Sequence, residues 1–444
     1  MKWFLIINSL FILTAAKSQV KVVPGYDCQF CQPEQVHIAY GIKSNDITVT
    51  WTTFNDTRES RVQYGIGEMN MEAAGSRHKF TDGGPLHRHM WIHRVTLPDL
   101  KFDTRYEYHA GSVYGWSELF SFKTPPEGEE WVLRAAIYGD MGNQNAHSLS
   151  YLQDEAERGH FDVVLHVGDF AYDMDTDNAL VGDEFMRQIQ PLAASVPYMT
   201  CPGNHEAAYN FSNYRSRFSM PSYSQWESMF YSFDLGPVHF VSISTEYYYF
   251  LEFGLKMLSE QFEWLQRDLS EANRPENRSR RPWLVLFGHR PMYCSNSDDI
   301  DCSVEYTRKG LPLFGAFSLE PLLRDFGVDV VIWAHEHSYE RTWPLYDLKV
   351  YNGSLERPYV NPRAPVHLVT GSAGCREGRD HFRHTPAAWS AFRSQDYGYT
   401  KLKAYNHSHI YFEQKSVDLD GQVIDQFWLV KQNRRDLRQH LTLC

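Results

Sequence analysis

Five apolar runs in this 444-residue chain each stop at a small residue followed by polar side chains able to bind a metal ion. Leu133–Tyr138 ends in Gly139-Asp140, and 161–167 ends in Gly168-Asp169 with Tyr172 close behind. The run 197–201 leads into Gly203-Asn204-His205-Glu206. Trp283–Phe287 ends in Gly288-His289, and 328–333 ends in Ala334-His335-Glu336-His337. Runs this short and this apolar read as strands buried on both faces. Stretches with helical spacing lie between them, such as 258–272 with Leu258, Phe262, Leu265 and Leu269 on one side. The pattern specifies a layered α/β domain, two sheets flanked by helices. In such sheets ligands gather outside the carboxyl ends of the strands, so all five donor groups are expected at one edge.

Each Gly-Asp or lone His has an ordinary reading as a turn or a surface residue, but the series of five in order does not. Asp140, Asp169, Tyr172, Asn204, His289, His335 and His337 make seven donors. With one carboxylate shared, that is four protein ligands for each of two ions, leaving positions open for water and substrate. Open coordination belongs to catalytic sites. His87, His89 and His93 look like a second cluster. They belong to a different part of the chain, and a structural or surface role is expected for them.

Ahead of the α/β region, 32–124 reads as short strands (36–40, 47–51, 61–64, 93–97, 106–109 and 119–122) separated by turn residues. This is an all-β sandwich, and Trp51, Leu97-Pro98-Asp99-Leu100 and Thr104-Arg105-Tyr106 in order resemble a fibronectin type III module. The polar, Pro-containing segment 125–131 serves as the linker to a catalytic domain over 132–430, and 431–444 is a basic tail. Residues 1–18 carry a positive start, an apolar stretch and small residues before a cleavage point, the pattern of a secretory signal peptide. No later stretch is long and apolar enough to span a membrane. With 43 Lys+Arg against 55 Asp+Glu, the chain is a poor nucleic-acid binder.

A secretory route agrees with five N-x-[ST] sequons, at Asn55, Asn210, Asn277, Asn352 and Asn406. The expected location is secreted or extracellular, with lysosomal retention as the other destination. Seven cysteines leave at least one unpaired in a monomer. Cys294 and Cys302 bracket a polar loop and are the best disulfide; Cys28 and Cys31 could form a strained bridge or half a zinc site, but no second CxxC supports zinc, and the pair is left unassigned. The oligomeric state is open, a homodimer included.

The set GDxG, GDxxY, GNHE, Gly-His and xHxH resembles the purple acid phosphatases, within the calcineurin-like metallophosphoesterases, and the sandwich ahead of it is similar to the long plant-type form. The resemblance covers about 32–430. It implies a secreted acid phosphatase that hydrolyses phosphomonoesters at a binuclear Fe(III)–M(II) site, with metal-bound hydroxide as nucleophile and Zn, Fe or Mn as the divalent ion. Asp140, Asp169, Tyr172 and His337 would hold the ferric ion. Asp169, Asn204, His289 and His335 would hold the divalent ion, with Asp169 bridging. A tyrosine phenolate at acidic pH needs a strongly Lewis-acidic metal, which favours iron. His205, next to a ligand, is expected to protonate the leaving alkoxide or orient the phosphate.

Two departures from the family stand out. The stretch 293–302 carries acids where plant-type members have a His-His pair, and Ala334 replaces the usual glycine of GHxH. A small phosphate ester is the expected substrate. A zinc or manganese phosphodiesterase or nucleotidase on the same scaffold is the alternative, and an inactive receptor-like binding protein is the alternative from another class.

Overall fold

The computed structural model describes residues 28–297, 300–312 and 315–432. The signal-peptide segment, Cys444 and the tail beyond Gln432 lie outside the described residues.

Residues 34–123 form an antiparallel β-sandwich. One sheet runs Glu34–Tyr40, Ile47–Thr53, His89–Leu97, Ser76–Thr81. The other runs Glu68–Ala74, Arg61–Ile66, Arg105–Ser112, Gly115–Trp116, with Phe120–Lys123 also pairing Arg105–Ser112. Alternating residues Ile38, Val49, Trp51, Val95 and Tyr108 fill the space between the sheets. The strand expected to begin at His93 starts at His89 instead, which puts His93 in mid-strand. There it is fully buried, lies 4.9 Å from the Trp51 ring, and bonds Thr53 and Ser60 through its two ring nitrogens. His87 and His89 are exposed. These three histidines are therefore structural or surface residues, and not a metal cluster.

The α/β region holds two mixed sheets. The first orders Tyr198–Cys201, Val163–Val167, Leu133–Tyr138, Gly398–Asn406, His409–Ser416, Gln422–Val430, its first three strands parallel. The second orders Tyr231–Leu235, Val238–Ser242, Trp283–Phe287, Val330–Trp333, Val366–Thr370, Tyr339–Thr342, Ser390–Ser394, with the four from Val238 to Thr370 parallel. The helix read as 258–272 spans Leu255–Ala272 and follows Gly254, whose φ of +93° suits a residue without a Cβ. Among the described residues no helix is long and apolar enough to cross a membrane.

The two regions meet through a polar seam. Arg217 is buried and donates to Asp183 Oδ1 at 2.9 Å, Gln35 Oε1 at 3.0 Å and Asn213 Oδ1 at 3.1 Å. Arg88 of the sandwich pairs with the other oxygen of Asp183. Tyr108 donates to the Ala194 carbonyl at 2.7 Å. Each buried polar atom in this list has a partner, which is what makes its burial tolerable.

Cys294 and Cys302 are bonded, as expected from the loop they bracket, and Cys28 is bonded to Cys31, so that pair is a bridge and not half a zinc site. Cys201 and Cys375 are buried free thiols. Of the sequon asparagines, Asn55, Asn210 and Asn406 are exposed, whereas Asn277 and Asn352 are half-buried.

Candidate functional site

All eight residues singled out in the sequence meet at the carboxyl ends of the parallel strands. Leu133–Tyr138 delivers Asp140, and Val163–Val167 delivers Asp169 and Tyr172. Tyr198–Cys201 delivers Asn204 and His205, Trp283–Phe287 delivers His289, and Val330–Trp333 delivers His335 and His337. The chain turns sharply at this edge. Asp140, Asp169, Tyr172 and His335 all have left-handed backbones, with φ of +58°, +52°, +50° and +72°. Such conformations cost about 1–3 kcal/mol each for non-glycine residues and gather at working sites. Gly168 permits close packing: a Cβ there would sit 2.4 Å from Nδ1 of His289.

The donors fall into two groups. In the first, the Tyr172 hydroxyl donates to Asp140 Oδ1 at 3.1 Å and lies 2.8 Å from His337 Nε2, which is 3.6 Å from Asp140 Oδ1. In the second, His289 Nε2 lies 3.1 Å from both Asn204 Oδ1 and Asp169 Oδ2. Donor atoms of Asp169, His289 and His335 lie within 4.8 Å of one another. Oriented backbone groups hold these side chains. His289 Nδ1 lies 2.9 Å from the Val167 carbonyl, so it carries the proton and leaves Nε2 free to donate its lone pair. The His335 N–H donates to Asp140 Oδ2 at 2.9 Å, and the His205 N–H donates to Asp169 Oδ1 at 3.0 Å.

The electrostatics suit cations. Burial, reinforced by Asp169, pushes the Asp140 carboxyl well above the usual carboxylate range. Burial alone would lower His289, but Asp169, 3.1 Å from its Nε2, raises it to about 10, so this carboxylate favours a positive charge at Nε2, a place that a proton or a metal ion can fill. Burial lowers His335 and His337 to about 4, so both are neutral imidazoles. Two buried carboxylates, a phenol, an amide and three imidazoles on one edge form a hard and borderline donor set that fits two cations.

His205 stands slightly apart, one-fifth exposed, with its ring 4.4 Å from that of Tyr172. Its Nδ1 lies 2.6 Å from Asp173 Oδ1, and its Nε2 lies 3.9 Å from Asp169 Oδ2 and 3.7 Å from Glu377 Oε1. Burial opposes its charge, yet Asp169, Asp173 and Glu377 together raise it to about 9.

Several residues at the site carry no role in the sequence reading. Glu206 completes the Gly203-Asn204-His205-Glu206 turn, accepting the backbone N–H groups of Asp169, Phe170 and Gly203 at 2.8–3.0 Å. Its place at the end of the Gly203-Asn204-His205-Glu206 run was the available signal. Asp301 reaches His335 Nε2 at 2.5 Å from a loop that the Cys294–Cys302 bond closes. Nothing in linear spacing connects Asp301 to His335.

Three families match in chain order. Purple acid Phosphatase, N-terminal domain, matches 33–124; Calcineurin-like phosphoesterase matches 133–339; Iron/zinc purple acid phosphatase-like protein C matches 364–426. The last of these implies a dimetal site. The chain is 55% identical to Acid phosphatase type 7 of Danio rerio, over 90% of this chain and 92% of that protein. It is 51% identical to Acid phosphatase type 7 of Homo sapiens, over 90% and 91%. Purple acid phosphatase PPD1 from yellow lupin shares the architecture, with a TM-score of 0.77 at 27% identity, covering 92% of this chain and 76% of that one. The chain belongs to the purple acid phosphatase family.

Proposed function

We propose that this acid phosphatase hydrolyses phosphomonoesters at a binuclear centre whose ferric ion would be held by Asp140, Asp169, Tyr172 and His337. Asp169, Asn204, His289 and His335 would hold the divalent ion, zinc, iron or manganese, with Asp169 shared between the two ions. The observation that carries this reading is the division of the donors. Tyr172, Asp140 and His337 lie within 3.6 Å of one another on one side, while Asn204 and Asp169 each lie 3.1 Å from His289 on the other. Two ions bound there would polarise the phosphate oxygens, acidify a water and offset the charge of in-line displacement.

The chain's own groups set up that chemistry. The Val167 carbonyl fixes the His289 tautomer, and Glu206 ties the Asp169 and Gly203 turns together through three N–H groups. His205, charged by its acidic neighbours and oriented by Asp173, holds a proton for the leaving alkoxide. The signal-peptide pattern, three exposed sequons and two disulfides support a secreted glycoprotein.

Asp169→Asn tests the shared carboxylate. Two-metal displacement needs the ions roughly 3.5–4 Å apart, so losing the bridge should abolish hydrolysis of nitrophenyl and alkyl phosphates alike. Near-normal turnover with two ions retained would mean that another group bridges.

A further inference from the structure

Arg290 follows His289 directly, and no role for it comes from the strand-end motif. Its guanidinium sits at the His335 side of the site. Nη1 lies 3.1 Å from His335 Nε2 and donates to Asp301 Oδ2 at 2.8 Å. The same Asp301 oxygen is 2.5 Å from His335 Nε2. One carboxylate oxygen therefore rests in a seat made by a fixed cation and an imidazole nitrogen of the donor set.

The seat is built rather than incidental. Arg290 Nε donates to Oε2 of fully buried Glu246 at 3.0 Å, and the guanidinium lies 4.4 Å over the Tyr249 ring. The Arg290 N–H donates to Thr245 Oγ1 at 2.8 Å, and Thr245 Oγ1 donates to Glu246 Oε1 at 2.9 Å. The arginine side chain is 12% exposed and held in one direction. Its anion comes from a surface turn. Asp301 lies in the short turn Asp301–Ser303, tethered beside Cys302 by the bond to Cys294, and its side chain is one-quarter exposed. A rigid guanidinium facing a carboxylate on a tethered surface turn is an anion seat with a replaceable occupant. Guanidinium suits phosphate oxygens through charge-assisted, directional bonds.

The geometry points to Arg290 as a phosphate-binding residue, with Asp301 occupying the same seat until a phosphate group displaces it. This rests on the phosphomonoester reading above. It makes the Asp301 turn an internal competitor of substrate and of the phosphate product.

Inorganic phosphate is the probe, titrated calorimetrically into the metal-loaded full chain, with metal content measured for each variant. Arg290→Gln should weaken phosphate binding by about 10–100-fold with both ions retained, the loss of one charge-assisted contact. Asp301→Asn should tighten it several-fold, because the competing charge is gone. Unchanged phosphate affinity in Arg290→Gln would overturn the assignment, and loss of an ion in Asp301→Asn would make Asp301 a ligand instead of a competitor. If Arg290→Gln fails to fold around Glu246, Arg290→Lys decides: weaker binding supports the seat, and wild-type affinity overturns it. A wild-type enzyme that binds metals but cleaves no phosphomonoester would sink the functional reading. An active enzyme with an indifferent Arg290 would sink this inference alone.

Discussion

The Tyr172 hydroxyl lies 2.8 Å from Nε2 of His337, although 164 residues separate them in the chain. Both are buried, and Asp140 completes the trio. Burial, with Asp140 and Asp169 nearby, pushes the Tyr172 phenol well above its usual value. A free phenol in this place would stay protonated at every physiological pH. A phenolate here needs a strong Lewis acid, so the trio is where the account is most exposed to test.

His205→Ala separates catalysis from metal binding. The side chain is placed by Asp173 at 2.6 Å, and its nearest approach to Asp169 is 3.9 Å. The variant should keep both ions and lose roughly 10²–10⁴-fold in kcat. Alkyl phosphates should lose more than nitrophenyl phosphate, since poor leaving groups need the proton. An equal loss across leaving groups would make His205 a phosphate-positioning residue.

Arg217→Met should destabilise the seam between sandwich and catalytic region. It strips one partner from buried Asp183 and leaves Gln35 and Asn213 short of a donor. Removing one member of such a pair costs about 3–5 kcal/mol, lessened here because Arg88 still reaches Asp183. Adding Asp183→Asn to Arg217→Met should recover part of the loss, read as Tm by calorimetry.

His239 predicts a pH dependence away from the site. It is clamped between Asp234 at 2.7 Å and Asp268 at 3.0 Å. Burial opposes its charge, but the two carboxylates raise it to about 9. A folded-state value above the unfolded 6.5 means the stabilisation is fully present below pH 6.5 and is lost as pH rises through about 9. Denaturant midpoints should fall across that window, and His239→Gln should flatten the fall.

The donors were legible because each ends an apolar run, and a buried parallel strand shows itself as an uninterrupted Val/Ile/Leu stretch. Glu68–Ala74 was missed for the opposite reason: its side chains are mostly exposed, so no alternation marks it. The meander from Gly398 to Val430 was missed too. Lys401 and Gln414 lie buried within it, and the polar letters obscure the period. Lys401 is satisfied by Glu155, far away in sequence. The same limit hid Asp301 and Arg290 as a pair, because their meeting depends on the Cys294–Cys302 closure and on Glu246 of another loop.

The visible spectrum and metal content of the purified protein, with and without Tyr172→Phe, test the central claim most directly. One ferric and one divalent ion per chain are expected, with a broad visible band from phenolate-to-iron charge transfer. Tyr172→Phe should abolish that band while keeping part of the activity through the three remaining ferric ligands. A colourless, active enzyme holding two zinc or two manganese ions, indifferent to Tyr172→Phe, would contradict it.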